Sequence, residues 1–192
     1  MYIASDRWSN PDGTAIDTPT DAVYPAFIAT TRLFLELLPK GTCDNFLDLC
    51  AGTGIAALVA AKNGARHACA SDITERCSMF AEFNRRLNAI PNVSIATSDL
   101  YRNLDRQTFD CIVAHPPYVP TLSPKWIFYS GGEDGEQVTR GIVEGLPLHL
   151  RDGGTFCACK PIRLRSAGKW KSRLGASSSS GSVWNPWLTV WW

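Results

Sequence analysis

Short apolar runs alternate along the chain with segments whose apolar residues recur at helical spacing. Residues 45–50, 67–71, 93–97 and 109–114 read as buried strands, and 155–159 as a fifth, entered through a Gly153-Gly154 turn. Residues 55–62 form an alanine-rich helix ended by Asn63-Gly64. Thr74 is placed to cap a helix running to about Asn88, with Phe80, Phe83 and Leu87 at helical spacing. Residues 22–38 predict a leading helix closed by Pro39 and Gly41. Residues 137 to about 150 predict another, bent or shortened by Pro147. Strands and helices alternating at this spacing predict an α/β fold built on a doubly wound, mostly parallel sheet.

A chain of 192 residues allows one domain with a core that needs no metal or disulfide staples. The net charge of +1 asks for no nucleic-acid or membrane partner, and no segment reads as a membrane span or a signal peptide. Seven cysteines is an odd count, and Cys50, Cys69, Cys111 and Cys157 sit in apolar runs. They read as reduced core residues of a cytoplasmic protein. Cys157 and Cys159 would share one strand face, and no second ligand pair at zinc spacing accompanies them, so no metal is expected.

The C-terminal part breaks the pattern. From Gly153 onward there is no acidic residue, Ser177 to Ser180 is a serine run, and Trp170, Trp184, Trp187, Trp191 and Trp192 follow no period. An expected organisation follows: an extension over 1–21, a core over 22–160, and a tail over 161–192 that stands outside the fold, as an out-of-frame or truncated end would. A fold ending there lacks a proper C-terminal β-hairpin and leaves its fifth strand as an open edge.

Candidate chemistry sits at the strand ends. The first strand runs into Asp48-Leu49-Cys50-Ala51-Gly52-Thr53-Gly54 and then a helix, a turn that lets a ligand approach the main chain. The second ends at Asp72-Ile73, with Asp72 placed to accept from a ribose diol. The third leads to Asp99-Leu100, suited to the amine and the face of an adenine. Together they describe a nucleoside pocket on the carboxyl edge of one sheet. The same glycines satisfy the dinucleotide pattern GxGxxA, which keeps an NAD-dependent oxidoreductase open. Solvated turn residues are the plain alternative for Asp72 and Asp99.

The fourth strand ends in His115-Pro116-Pro117-Tyr118. Prolines fix the backbone and remove donors, leaving carbonyl oxygens exposed beside an aromatic ring. That corner suits a planar group carrying an NH2. The alternative is a merely proline-stiffened loop.

With these motifs in view, residues 20–159 resemble the class I S-adenosylmethionine (SAM)-dependent methyltransferases. They resemble the branch that carries Asn/Asp-Pro-Pro-Tyr after the fourth strand and methylates planar nitrogens. Gly131-Gly132-Glu133-Asp134-Gly135 and Leu150-Arg151-Asp152-Gly153-Gly154 are similar to loops of the release-factor glutamine methyltransferases. The resemblance implies a Rossmann-like methyltransferase sheet with SAM as cofactor. Asp48, Ala51, Gly52, Thr53, Gly54, Asp72, Ile73, Asp99, Leu100 and His115 would hold that cofactor. His115, Pro116, Pro117 and Tyr118 would orient the acceptor nitrogen, and Tyr24 and Pro25 would cover the site. The acceptor implied is protein glutamine, with a translation factor as partner. Adenine or guanine bases of nucleic acid are the nearest variant, although residues 119–129 offer only Lys125 as a basic group. A SAM-binding product without turnover is a further alternative.

His115 departs from the family's Asn/Asp. A neutral imidazole offers one acceptor nitrogen; a protonated one would offer none and would repel the developing cation.

Overall fold

The computed structural model describes residues 1–7, 9–123, 125–159 and the backbone of Trp187–Trp191. Four helices and six strands are described: α1 (Ala29–Glu36), β1 (Asn45–Leu49), α2 (Ile55–Lys62), β2 (His67–Asp72), α3 (Glu75–Leu87), β3 (Val93–Thr97), β4 (Phe109–Ala114), α4 (Gln137–His149), β5 (Leu150–Cys159) and β6 (Trp187–Trp191).

They form one sheet in the order β3-β2-β1-β4-β5-β6. All described pairings are parallel except β5 with β6. The direction of winding reverses between β1 and β4. That reversal opens a crevice at the carboxyl ends of the central strands.

Strand residues alternate between two cores, which is why the strands read as nearly continuous apolar runs. Phe46, Cys111, Val113 and Cys157 face one core with Phe34 and the alanines of α2. Leu47, Ile112, Ala114 and Phe156 face the other with Ile142 and Leu146 of α4. Each fully buried Leu, Ile or Phe contributes about 1.5–3 kcal/mol. All seven cysteines are free thiols, and Cys69, Cys77, Cys111, Cys157 and Cys159 are buried.

Four expectations are corrected. The leading helix starts at Ala29 rather than at 22. Pro25 disfavours helix at Tyr24, and Val23 is committed to Asp6, whose amide donates to the Val23 carbonyl at 3.2 Å. Gly153-Gly154 is no turn but lies inside β5, where the register against β4 shifts between Phe109 and Cys111. Pro147 does not shorten α4, which runs to His149. The His149 ring stacks on Tyr101 at 4.4 Å and its Nδ1 meets the Gln107 carbonyl at 2.9 Å, so tertiary contacts hold the final turn. Last, β6 pairs antiparallel along β5 from Thr155↔Trp191 to Cys159↔Trp187. The edge of β5 is therefore covered, by part of the tail expected to stand outside the fold. The remainder of that tail, 161–186 and 192, lies outside the described residues, as does residue 160 of the expected core.

The apolar spacing on α3 locates the helix but not its inner face. Cys77, Ala81 and Asn84 are buried, whereas Phe83 and Leu87 are 54% and 48% exposed. Thr74 caps this helix as expected, accepting from the Cys77 amide at 3.0 Å.

Candidate functional site

At the winding reversal lies a cavity of about 640 Å³. Its floor is the turn after β1. The backbone enters the left-handed region at Cys50 (φ 56°), Gly52 (φ 52°) and Gly54 (φ 75°). Gly54 must be glycine on two counts: its φ, and a Cβ there would meet the Ala81 Cβ of α3 at 2.9 Å. Cys50 has a side chain and is strained in that conformation, as is Leu100 at the tip of β3 (φ 52°). Both line the cavity, consistent with strain being retained where a site over-determines the backbone. Cys50 was not among the expected site residues, because φ is not visible in a sequence.

Of the cofactor set, Asp48, Ala51, Gly52, Thr53, Asp72 and Ile73 line the cavity, with Asp99, Leu100 and His115. Gly54 does not reach it and serves as the N-cap of α2. Asp48 is 2% exposed and its Oδ2 accepts from the Ala57 amide at 3.1 Å. Burial pushes its carboxyl up to about 7. Asp72 accepts from the Gly52 amide at 2.9 Å and the Thr74 amide at 3.3 Å, so the acid of one strand tip braces the glycine turn of the next. Its carboxyl is also raised by burial. Asp99 pairs with Arg102 at 3.0 Å on the surface side.

The opposite wall carries His115, Pro116, Pro117 and Tyr118, all lining the same cavity. The His115 ring lies 5.3 Å from Phe34 of α1, and burial lowers its pKa to about 4. The imidazole is therefore neutral across the physiological range, which removes the protonated alternative. The corner is clamped by the glycine loop 131–135. The Val119 amide donates to the Tyr129 carbonyl at 3.1 Å, and the Gly131 amide returns to the Val119 carbonyl at 2.9 Å. A Cβ on Gly135 (φ 73°) would collide with the Tyr118 carbonyl oxygen. That contact gives the glycine loop its physical purpose: only a bare backbone passes so close to the corner.

A roof closes over both halves. Tyr24 lies 4.9 Å from Phe128, and the Ile127 amide donates to the Thr20 carbonyl at 2.9 Å. Tyr24 was expected here; Asp21, Phe34 and Gln137 were not, and all line the cavity. Among the described lining residues there are four aspartates, Asp21, Asp48, Asp72 and Asp99, and no lysine or arginine.

A mostly parallel sheet with an acid-lined cavity at its switch point, facing a Pro-Pro-Tyr corner, is the architecture of a Rossmann-like methyltransferase domain. The methyltransferase small domain family matches residues 27–166, and the chain belongs to that family of SAM-dependent enzymes. Among curated relatives, it is 34% identical over 131 residues to the release factor glutamine methyltransferase of Thermodesulfovibrio yellowstonii, covering 62% of this chain and 47% of that protein. It is 32% identical over 128 residues to the ribosomal protein uL3 glutamine methyltransferase of Bradyrhizobium diazoefficiens, covering 59% and 40%. The fold is also similar to a T. thermophilus 16S rRNA N2 G1207 methyltransferase solved with AdoMet and guanosine. There the TM-score is 0.64 at 23% identity, over 88% of this chain and 43% of that one. The chain spans between 40% and 64% of the length of the first three curated relatives.

Proposed function

We propose that the chain transfers a methyl group from SAM to a planar amide nitrogen, with a glutamine side chain of a cytoplasmic translation protein as acceptor. The charge of the cavity carries this reading: four aspartates and no lysine or arginine among the described lining residues. A cation stabilises the ionised form of buried carboxylates that desolvation holds protonated. The pyrophosphate of a dinucleotide would instead set its negative charges against theirs. The residues fit SAM: Asp48 toward its ammonium, Asp72 toward the ribose diol, Asp99 and Leu100 toward the adenine. Ala51, Gly52, Thr53, Gly54 and Ile73 would shape the surrounding turn, and His115 would close it. Among the described residues no helix is long and apolar enough to cross a membrane.

SAM, when bound, supplies an electrophilic methyl group on a sulfonium sulfur. The part of the chain is orientation. An amide nitrogen is a poor nucleophile because its lone pair is delocalised, so the site must aim that lone pair at the methyl carbon. The Pro116 carbonyl accepts one N–H of the acceptor, and the neutral ring of His115 accepts the other. The Tyr118 ring stacks on the planar group. No general base is needed before transfer, since the proton becomes acidic as positive charge develops on nitrogen.

The relatives' glutamine substrates support the acceptor class, and two of those substrates supply the test. The full chain is incubated with methyl-labelled SAM and, in parallel, a release factor, ribosomal protein uL3 or ribosomal RNA, and the products are mapped by mass spectrometry. One methyl group on a glutamine is expected. Label on ribosomal RNA bases, with both proteins unlabelled, would replace glutamine by a nucleobase.

A further inference from the structure

The N-terminal segment is fastened in a way that leads to the cofactor turn. Helix α3 carries Asn84 and is capped one turn later by Asn88, and each uses its side-chain amide as a peptide group. The Tyr2 amide donates to Asn88 Oδ1 at 2.8 Å, and Asn88 Nδ2 donates to the Tyr2 carbonyl at 2.7 Å. The pairing repeats between Ala4 and Asn84, at 2.7 and 3.0 Å. The spacings match: residues four apart on a helix rise about 6 Å, and alternate residues of an extended chain about 6.6 Å. Next along the strap, Asp6 accepts from Arg76 Nε at 2.8 Å and also from its Nη2. The same carboxylate accepts from the Val23 amide at 2.8 Å. Val23 is fully buried between Ala22 and Tyr24, which line the cavity.

Asn84 does one thing that Asn88 does not. It is 0% exposed, and its Nδ2 also donates to the Thr53 carbonyl at 3.0 Å, at the centre of the glycine turn. The Thr53 carbonyl and the Gly54 amide share one planar peptide. That amide donates to the Ala51 carbonyl at 2.8 Å. Holding the carbonyl therefore sets the orientation of the turn's defining hydrogen bond.

We propose that Asn84 is a positioning residue for the cofactor turn, acting through the Thr53 carbonyl, and that the strap over residues 2–6 locks its side-chain amide in place. Through Asp6 and Val23 the same strap fixes the wall at 21–24. The identity of the turn's ligand rests on the SAM reading above; the pinning of the turn does not.

Two substitutions remove the donors of Asn84: Asn84→Asp, which keeps its shape, and Asn84→Ser, which adds no charge. Asn88→Asp and Asn88→Ser release only the Tyr2 end of the strap and leave the Ala4–Asn84 pairing and Thr53 untouched. Amide hydrogen exchange is followed in the ligand-free full chain, and SAM affinity is then measured by calorimetry. Exchange at the Gly54 amide speeds up about tenfold in whichever Asn84 variant folds, because a buried hydrogen bond of ordinary strength is lost. SAM binding weakens by about the same factor. The Asn88 variants speed exchange at the Tyr2 amide but, with Ala4 still paired to Asn84, leave Gly54 exchange and SAM affinity within about twofold of the parent. Unchanged Gly54 protection in the Asn84 variants overturns the proposal, as does equal loss in the Asn88 variants. Failure of the folded parent to take SAM would sink the methyltransferase reading, with the exchange measurement still deciding the role of Asn84.

Discussion

The half of the cavity proposed for the cofactor hangs on the tips of adjacent strands, whereas the half proposed for the acceptor is assembled from loops, a helix and the segment ahead of that helix. In the first, Asp48 and Asp72 each stand at the end of a strand, Asp48 accepting from the Ala57 amide of α2 and Asp72 from the Gly52 and Thr74 amides. In the second, the His115–Tyr118 corner takes its shape from glycines at 131 and 135, a phenylalanine on α1 and a roof shared by Tyr24 and Phe128. The difference separates two requirements. On the proposed reading, a fixed cofactor meets a fixed rim of sheet, while the acceptor meets loops that can be rebuilt without disturbing that rim.

Substitutions should therefore damage one half and spare the other. The largest effect is expected from Asp72→Ala, which removes the ribose acceptor and the brace on Gly52 together. Loss of hydrogen bonds to a charged group should weaken SAM binding by about 100-fold or more, read by calorimetry. Gly135→Ala is the mirror experiment. A left-handed alanine costs about 1–2 kcal/mol, and its Cβ displaces the Tyr118 carbonyl. Methyl transfer should fall about 100-fold, with SAM affinity changed by no more than about twofold. Equal loss of both properties would mean that the halves are not separable.

Asp48→Asn sharpens the comparison through pH. The folded-state pKa of about 7 lies above the ordinary 3.8. Between those values the native state holds more protons than the unfolded chain, so stability falls as pH rises through that window, and the cost is complete above about 7. Asn keeps an acceptor for the Ala57 amide and removes the cost. The variant should melt about 3 °C or more higher than the parent at about pH 8, with the gap narrowing as pH falls and closing only near about pH 4. Its SAM affinity should lose the rise with pH that ionisation of Asp48 gives the parent.

The smallest effect is expected from His115→Asn. The neutral ring and an amide oxygen both accept a hydrogen bond, so the transfer rate should stay within about threefold. Because burial holds the His115 pKa near about 4, neither protein should show an inflection in rate near the ordinary histidine value of about 6.5. Complete loss in the variant would give the imidazole a task of its own.

The same contrast explains what the sequence disclosed. Asp48, the glycine turn, Asp72 and Asp99 were legible because apolar runs locate strand ends and local residues build that rim. The parallel sheet and the bounds of α2, β3 and β4 followed from the same periodicity. Phe34 and Gln137 were not legible, since only tertiary packing brings them to the corner. The role of Gly135 was equally hidden, because a glycine's spacing says nothing about which backbone it must clear. Cys50 escaped for another reason: its left-handed backbone, shared with Leu100, belongs to conformation rather than composition. The shift inside β5 and the β6 partner depend on pairing between strands, which period-two patterning does not specify.

The central claim is that an acid-lined pocket at the switch point takes a cationic nucleoside in place of a dinucleotide. Calorimetric titration of the full chain with SAM, and in parallel with NAD, tests it most directly. Saturable SAM binding that tightens as pH rises toward about 7, with no saturation by NAD, is the predicted result. Saturation by NAD, or folded protein that takes up no SAM, would contradict it.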